Sequence, residues 1–250
     1  MVSPCYAMTK QFLSGWIGKG HSVKPLQLLA FDLDDTLFPE REFVKSGFGA
    51  VAQHLNNFYK VDGPTFFHTA WHLFENGSRG TIFNQALELL GVVSPPELIP
   101  ELVAVYRAHQ PYIQPFREVP ELLRNLQECN LSLALISDGP AQMQENKLTA
   151  LGLEKYFQYI IFTASYGLDW AKPSFRSFEK VMKLKRVEPA ACVYVADNPR
   201  KDFVGPNRLG WRTIRIRART GLYVNDNPVA GGEPQQSVDN FEALRKLLLT

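Results

Sequence analysis

No segment of this sequence is long and apolar enough to cross a membrane. The longest stretch without a charged side chain, Ser46 to Tyr59, has 14 residues and includes Gln53, His54 and two asparagines. A span needs about 18 to 20 mostly apolar residues. Cysteine is scarce. Cys5, Cys129 and Cys192 are odd in number and far apart, which argues against a disulfide framework and fits free thiols in a reducing compartment. Neither sign of charge is in excess: 27 Lys and Arg stand against 25 Asp and Glu, a formal charge of +2. That balance carries no basic footprint for nucleic acid. The N-terminus lacks the continuous apolar core of a secretory signal, because Gly15, Gly18, Lys19 and Gly20 break up the Phe12–Ile17 patch. Export is therefore not expected, the sequons at Asn76 and Asn130 are not expected to be used, and the expected location is the cytoplasm.

Two families of catalytic motif are also missing. There is no Gly-x-Ser-x-Gly and no Gly-x-x-x-x-Gly-Lys. The five histidines, at 21, 54, 68, 72 and 109, all fall outside the segments that carry the acidic motifs, which disfavours histidine-based catalysis. His68 and His72 have metal-ligand spacing on a helix, but no third ligand accompanies them. A packed or solvated helix face explains them better.

What the chain does contain is a rhythm of short apolar runs. Leu26–Phe31, Ser132–Ile136, Tyr159–Phe162, Cys192–Ala196 and Thr213–Ile216 are rich in β-branched or aromatic residues. The first four lack strict alternation, as expected of strands buried on both faces of a parallel sheet. Helical spacing between the later runs makes the unit strand–helix–strand, an α/β fold with a doubly wound, Rossmann-like parallel sheet. About 100 residues separate the first two runs, far more than one crossover helix needs. Helical patterns fill that interval at Phe43–Tyr59, Pro64–Glu75, Thr81–Leu90 and Glu97–His109. The expected domains are therefore a loose leader over 1–22, a core over 23–39 and 115–250, and a smaller all-helical cap over 40–114. Phe66, Phe67, Trp71 and Phe74 read as cap core. Gly221–Ser237 reads as a loop before a last helix around Phe241–Leu248.

The acids fall at informative places. Asp32, Asp34 and Asp35 follow the first strand, Ser137 and Asp138 end the second, Lys172 follows the third and Asp197 ends the fourth. Ligands of open parallel sheets bind outside the carboxyl ends of the strands, where the strand order reverses. Crowded carboxylates need a cation, and hard oxygen donors suit Mg²⁺. A divalent ion, a lysine and a hydroxyl around a free carboxylate make a site for phosphoryl transfer through an aspartyl-phosphate.

Four ordered segments carry a resemblance: Phe31-Asp32-Leu33-Asp34-Asp35-Thr36-Leu37, Ile136-Ser137-Asp138-Gly139, Lys172-Pro173, and Val195-Ala196-Asp197-Asn198-Pro199-Arg200-Lys201-Asp202. Over residues 26–217 the chain resembles the haloacid dehalogenase superfamily, most of whose members are phosphatases. One departure is Ala196, where a glycine often precedes the metal aspartate. The resemblance implies Asp32 as nucleophile and metal ligand, and Asp34 as general acid/base that ligates the metal through its carbonyl. It implies Ser137, with Asp138 and Gly139, and Lys172 around the phosphoryl group, Asp197 as a metal ligand with Asp202 behind it, and Mg²⁺ as cofactor. It also implies a helical cap at this insertion point and, as substrate, a small phosphorylated metabolite such as a nucleotide or sugar phosphate. A dehalogenase, a phosphomutase or a non-catalytic binding module on the same scaffold are the alternatives. Specificity falls to the cap, where Arg79, between Gly77 and Gly80, is the candidate substrate-binding residue.

Overall fold

The computed structural model describes residues 25–218 and 220–249; the expected leader over 1–22 lies outside them. Six parallel strands form one sheet: β1 (Leu28–Phe31), β2 (Ser132–Ser137), β3 (Tyr159–Phe162), β4 (Cys192–Ala196), β5 (Arg212–Ile216) and β6 (Gln236–Val238). Their order is β3-β2-β1-β4-β5-β6. The chain leaves β1 in one direction towards β2 and β3 and returns on its other side with β4, so the order reverses beside β1. β1 is buried at every position and pairs Phe31 with Leu135 on one side and Val195 on the other. Such a strand has no solvent face, which is why its sequence is an unbroken apolar run.

Between β1 and β2 there are only helices: α1 (Glu40–Tyr59), α2 (Gly63–Glu75), α3 (Ile82–Leu89), α4 (Leu98–Ala108) and α5 (Val119–Glu128). Helix α2 starts where Asp62 accepts a hydrogen bond from the backbone N–H of Thr65 at 2.9 Å, with Pro64 in its first turn. Helices α1 to α4 close around a hydrophobic cluster of their own that includes Phe48, Val51, Leu55, Phe66, Phe74 and Leu102. Phe67 and Trp71 stack on each other and pack against it, while His68 and His72 are exposed. Gly47 lets α1 and α4 approach, since a Cβ there would collide with the Tyr106 ring.

The sheet is covered by α5, α6 (Ala141–Leu151), α7 (Arg176–Lys185), α8 (Val204–Leu209) and α9 (Phe241–Leu249), with separate apolar clusters on its two faces. The short strand β6 departs from the sequence expectation of a loop over Gly221–Ser237. Three residues at a sheet edge, none of them fully buried, leave no apolar run to read. No helix among the described residues is long and apolar enough to cross a membrane.

Candidate active site

The carboxyl ends of β1, β2 and β4 open into a cavity of about 260 Å³ lined by Asp32, Asp34, Asp138, Asp197, Lys201 and Tyr223, among others. Asp32 is the first residue beyond β1, and its backbone N–H donates to the Val195 carbonyl at 3.0 Å, so the sheet itself fixes its place. The fully buried Lys172 reaches under it. Its Nζ lies 2.6 Å from Asp32 Oδ1 and 2.7 Å from Asp202 Oδ1, and it donates to the Tyr194 hydroxyl at 3.1 Å. Asp202 in turn accepts from the Asn198 backbone N–H at 2.9 Å.

One ammonium thus serves two buried carboxylates, and a third stands close by. Oxygens of Asp32, Asp197 and Asp202 all lie within 4.8 Å of one another. Among the described residues, Asp197 Oδ1 receives only a long bond from the Thr36 hydroxyl, 3.4 Å, and its buried Oδ2 has no hydrogen-bond partner. Burial pushes the Asp32 carboxyl up to about 7, with Lys172 opposing and Asp202 adding to the shift. Burial, then Asp202 and Asp32, hold Asp197 well above the carboxylate range. Burial works against the charge of Lys172, yet Asp202 and Asp32 outweigh it and keep the ammonium protonated. An unpartnered buried oxygen within an anionic triad fits a hard divalent cation. The cluster includes Asp202, which the sequence placed behind the ligands, and does not include the Asp34 side chain.

Asp34 is held from the other side of the cleft. Its Oδ1 pairs with Lys147 Nζ at 2.7 Å, and its Oδ2 accepts from Gln144 Nε2 at 2.9 Å. Gln144 also donates to Ser137 Oγ at 2.6 Å, tying the end of β2 to the acid after β1. Lys147 is itself buried and lies 4.2 Å from the centre of the Phe43 ring. Neither Gln144 nor Lys147 was singled out from the sequence. A signal was there: Gln144, Lys147, Leu148 and Leu151 form the buried stripe of α6, and two polar residues on an inward stripe demand partners.

The other expected residues divide. Asp138 turns aside to Thr163 Oγ1, the Lys172 backbone N–H and Lys201 Nζ, at 2.9, 3.2 and 3.2 Å. Burial alone would raise it, but Lys172 and Lys201 draw it below its ordinary value. Gly139 borders the cavity with a φ of 121°, a conformation that suits glycine. Arg79 is not in this cavity. It lines a neighbouring one, which shares Glu40 and Tyr223 with the first. Glu40 begins α1, and burial, with Asp34 beside it, pushes it up to about 8.

The roof of the cleft comes from the loop after β5. Arg215, on β5, is buried with no carboxylate partner among the described residues and spends its guanidinium on carbonyls instead. It donates to Asp197 at 3.1 Å, Asp226 at 3.1 Å, Tyr223 at 2.7 Å and Val224 at 3.3 Å. Asp35 fastens the same loop to α1. One of its oxygens accepts from the Glu40 backbone N–H at 2.8 Å and the other from that of Leu222 at 2.7 Å.

Residues 29–216 match the family model described as haloacid dehalogenase-like hydrolase. The chain is 27% identical over 233 residues to a glyceraldehyde 3-phosphate phosphatase of Methanopyrus kandleri, covering 89% of this chain and 98% of that one. It is 29% identical over 138 residues to a phosphoserine phosphatase of Thermus thermophilus, covering 55% and 54% of the two chains. Among solved structures, a 2-haloacid dehalogenase from Pseudomonas syringae superposes with a TM-score of 0.59 at 23% identity, over 89% of this chain and 98% of that one. That likeness is one of fold.

Proposed function

Because this chain belongs to the haloacid dehalogenase-like hydrolase family, we propose that it is a Mg²⁺-dependent phosphatase of a small cytoplasmic phosphomonoester, working through an aspartyl-phosphate. The expected nucleotide or sugar phosphate falls within that class. The curated relatives named as phosphatases support the reaction class. The observation that carries the choice within the family is Asp34, a second carboxylate on the same cavity as Asp32, held by its own lysine and amide. A halide leaves without a proton, whereas an alkoxide needs one. A positioned acid beside the nucleophile therefore favours ester hydrolysis over dehalogenation.

The residues divide the work as follows. Lys172 orients Asp32 and balances its charge. A carboxylate oxygen of Asp32 attacks phosphorus as the bond to the leaving oxygen breaks, and Asp34 delivers the proton that oxygen needs. Water then attacks the phosphorus of the aspartyl-phosphate while Asp34 accepts a proton, releasing phosphate and restoring Asp32. Ser137 and the backbone at Gly139, with Lys172 and Lys201, supply donors and positive charge to the phosphoryl oxygens. Asp32, Asp197 and Asp202 would hold the cation with the Asp34 carbonyl, and the cation would neutralise charge on the transferring group. In this reading residues 40–114 are a cap over a core made of 23–39 and 115–250.

The test is phosphate release from a panel of phosphorylated metabolites, with and without Mg²⁺, by the protein and by Asp32→Asn. Mg²⁺-dependent release that falls at least about 10³-fold in the variant is expected. Turnover of a haloacid with inert phosphate esters would overturn the reading in favour of a dehalogenase. Mg²⁺ binding without any turnover would favour a binding module.

A further inference from the structure

Beside the catalytic cavity lies the second one, of about 250 Å³, a partly open cleft lined by α1 to α4, the loop that carries Arg79 and Gly80, and the loop after β5. Its wall is mostly apolar, built largely from Phe48, Phe74, Phe83, Ile99, Val103 and Leu222, with polar groups at Glu40, Arg79, Asn84, Tyr106 and Tyr223. Glu40 and Tyr223 border both cavities. A molecule with its phosphate beside Asp32 that extends past these two residues enters the apolar space. We propose that this space is the leaving-group site, and that the substrate is a phosphomonoester whose alcohol carries a flat apolar ring with an anionic or strongly accepting group at its far end. The inference rests on the phosphatase reading and narrows its substrate.

Two observations select this class over polyol phosphates. The first is the wall. Hydroxyls carried from water against phenyl and aliphatic side chains lose hydrogen bonds without replacement, whereas a ring gains burial and edge or face contact with Phe48, Phe74 and Phe83. Tyr106, one of the two phenols in this lining, is kept neutral: burial raises it well above its ordinary value, and Glu40 and Asp34 add to the shift.

The second is Arg79. Its guanidinium lies 4.1 Å from the centre of the Phe74 ring, and its Nη1 donates to the carbonyls of Phe74 and Ser78 at 2.8 and 2.6 Å. Those bonds use one nitrogen and leave the other donors of the fork for a ligand. No carboxylate pairs with Arg79 among the described residues, whereas Arg41 pairs with Glu75 and Arg200 with Asp226. A cation anchored by carbonyls on an apolar wall, with no protein anion to neutralise it, suits an acceptor brought in by the substrate.

The test uses the full chain with Mg²⁺ and four esters that all leave as primary alkoxides, so that leaving-group basicity does not confound the comparison. They are ethyl phosphate, ribose 5-phosphate, 2-naphthylethyl phosphate and its 6-carboxy derivative. The naphthyl ester should exceed ethyl phosphate in kcat/KM by about tenfold or more, and ribose 5-phosphate should not. The carboxylate should add a further several-fold that Arg79→Ala removes. Val103→Trp, which fills the space away from the catalytic groups, should bring kcat/KM for the naphthyl ester down to that for ethyl phosphate measured in the same variant. Preference for ribose 5-phosphate, or equal loss on all four esters in Val103→Trp, would overturn the proposal. Hydrolysis of ethyl phosphate without ring preference refutes the pocket assignment alone. Inertness of all four with phosphate still released from the metabolite panel refutes this inference alone; inertness of the four and of the panel refutes the phosphatase reading, and this inference with it.

Discussion

Replacing Asp197 by Asn should make the protein more stable without a divalent cation, and indifferent to one. Oxygens of Asp197, Asp32 and Asp202 sit within 4.8 Å of one another. Two unit charges at that distance repel by about 3.5 kcal/mol at an effective dielectric of about 20. Lys172 cancels part of this for Asp32 and Asp202 but makes no ion pair with Asp197. The substitution keeps the oxygen that Thr36 approaches and puts an amide donor in place of the unpartnered Oδ2. A net gain of about 1–3 kcal/mol is a reasonable remainder after the partial protonation of the cluster, or about 2 to 10 °C in Tm for a chain of this size.

The pH dependence gives an independent check. Asp32 and Asp35 are raised by burial from 3.8 to about 7 and about 6. Raised carboxyls bind protons more tightly folded than unfolded, so their contribution is fully present below about pH 4 and is lost as the pH rises through 6 to 7. The cation-free protein should therefore melt progressively lower between pH 5 and 7.5, and the advantage of Asp197→Asn should grow over the same range. Mg²⁺ at about 100 times its Kd should return about 2.7 kcal/mol to the wild type at pH 7.5 and little to the variant. Thermal melts at both pH values, with EDTA and with Mg²⁺, read all of this. A variant that melts below wild type in EDTA at pH 7.5, or that gains as much from Mg²⁺, would refute the reasoning.

Two further substitutions probe the supports of the site. Lys172→Met leaves Asp32 and Asp202 buried without their common counter-charge, and should cost about 3–5 kcal/mol in urea unfolding at pH 7.5, less at pH 5 where Asp32, raised to about 7, is neutral. Arg215→Lys keeps the charge but cannot reach four carbonyls at once. Proteolysis should then cut near residues 220–226 more readily, and KM should rise several-fold with a smaller change in kcat. Unchanged proteolysis would mean that Asp35 and the Arg200–Asp226 pair secure that loop without Arg215.

Much of the fold was legible in the sequence because its signals are local. β1, β2 and β4 are buried on both faces, and such strands must be apolar throughout, so Leu28–Phe31, Ser132–Ser137 and Cys192–Ala196 show themselves without any partner. Helices α1 to α4 follow from 3.6-residue spacing, to within a few residues at their ends. The edge strand β6 escaped notice because three residues hold no period.

The placement of the acids at strand ends also follows from sequence, since a parallel sheet brings every carboxyl end to one side. Which groups then meet is a tertiary matter. Asp34 and Lys147 are 113 positions apart, and Asp32 and Lys172 are 140 apart. No local pattern says which of several lysines turns inward, because the choice depends on how α6 and the loop after β3 pack against β1. Arg79 shows the same division. The sequence marks it as an arginine between glycines, but only the packing of α1 to α4 against Leu222 and Tyr223 sets a mostly apolar cavity beside this exposed side chain. Composition and periodicity determine which surfaces are buried. The partners of a buried charge are decided by the folded whole, because electrostatic pairing acts through space and carries no trace of sequence separation.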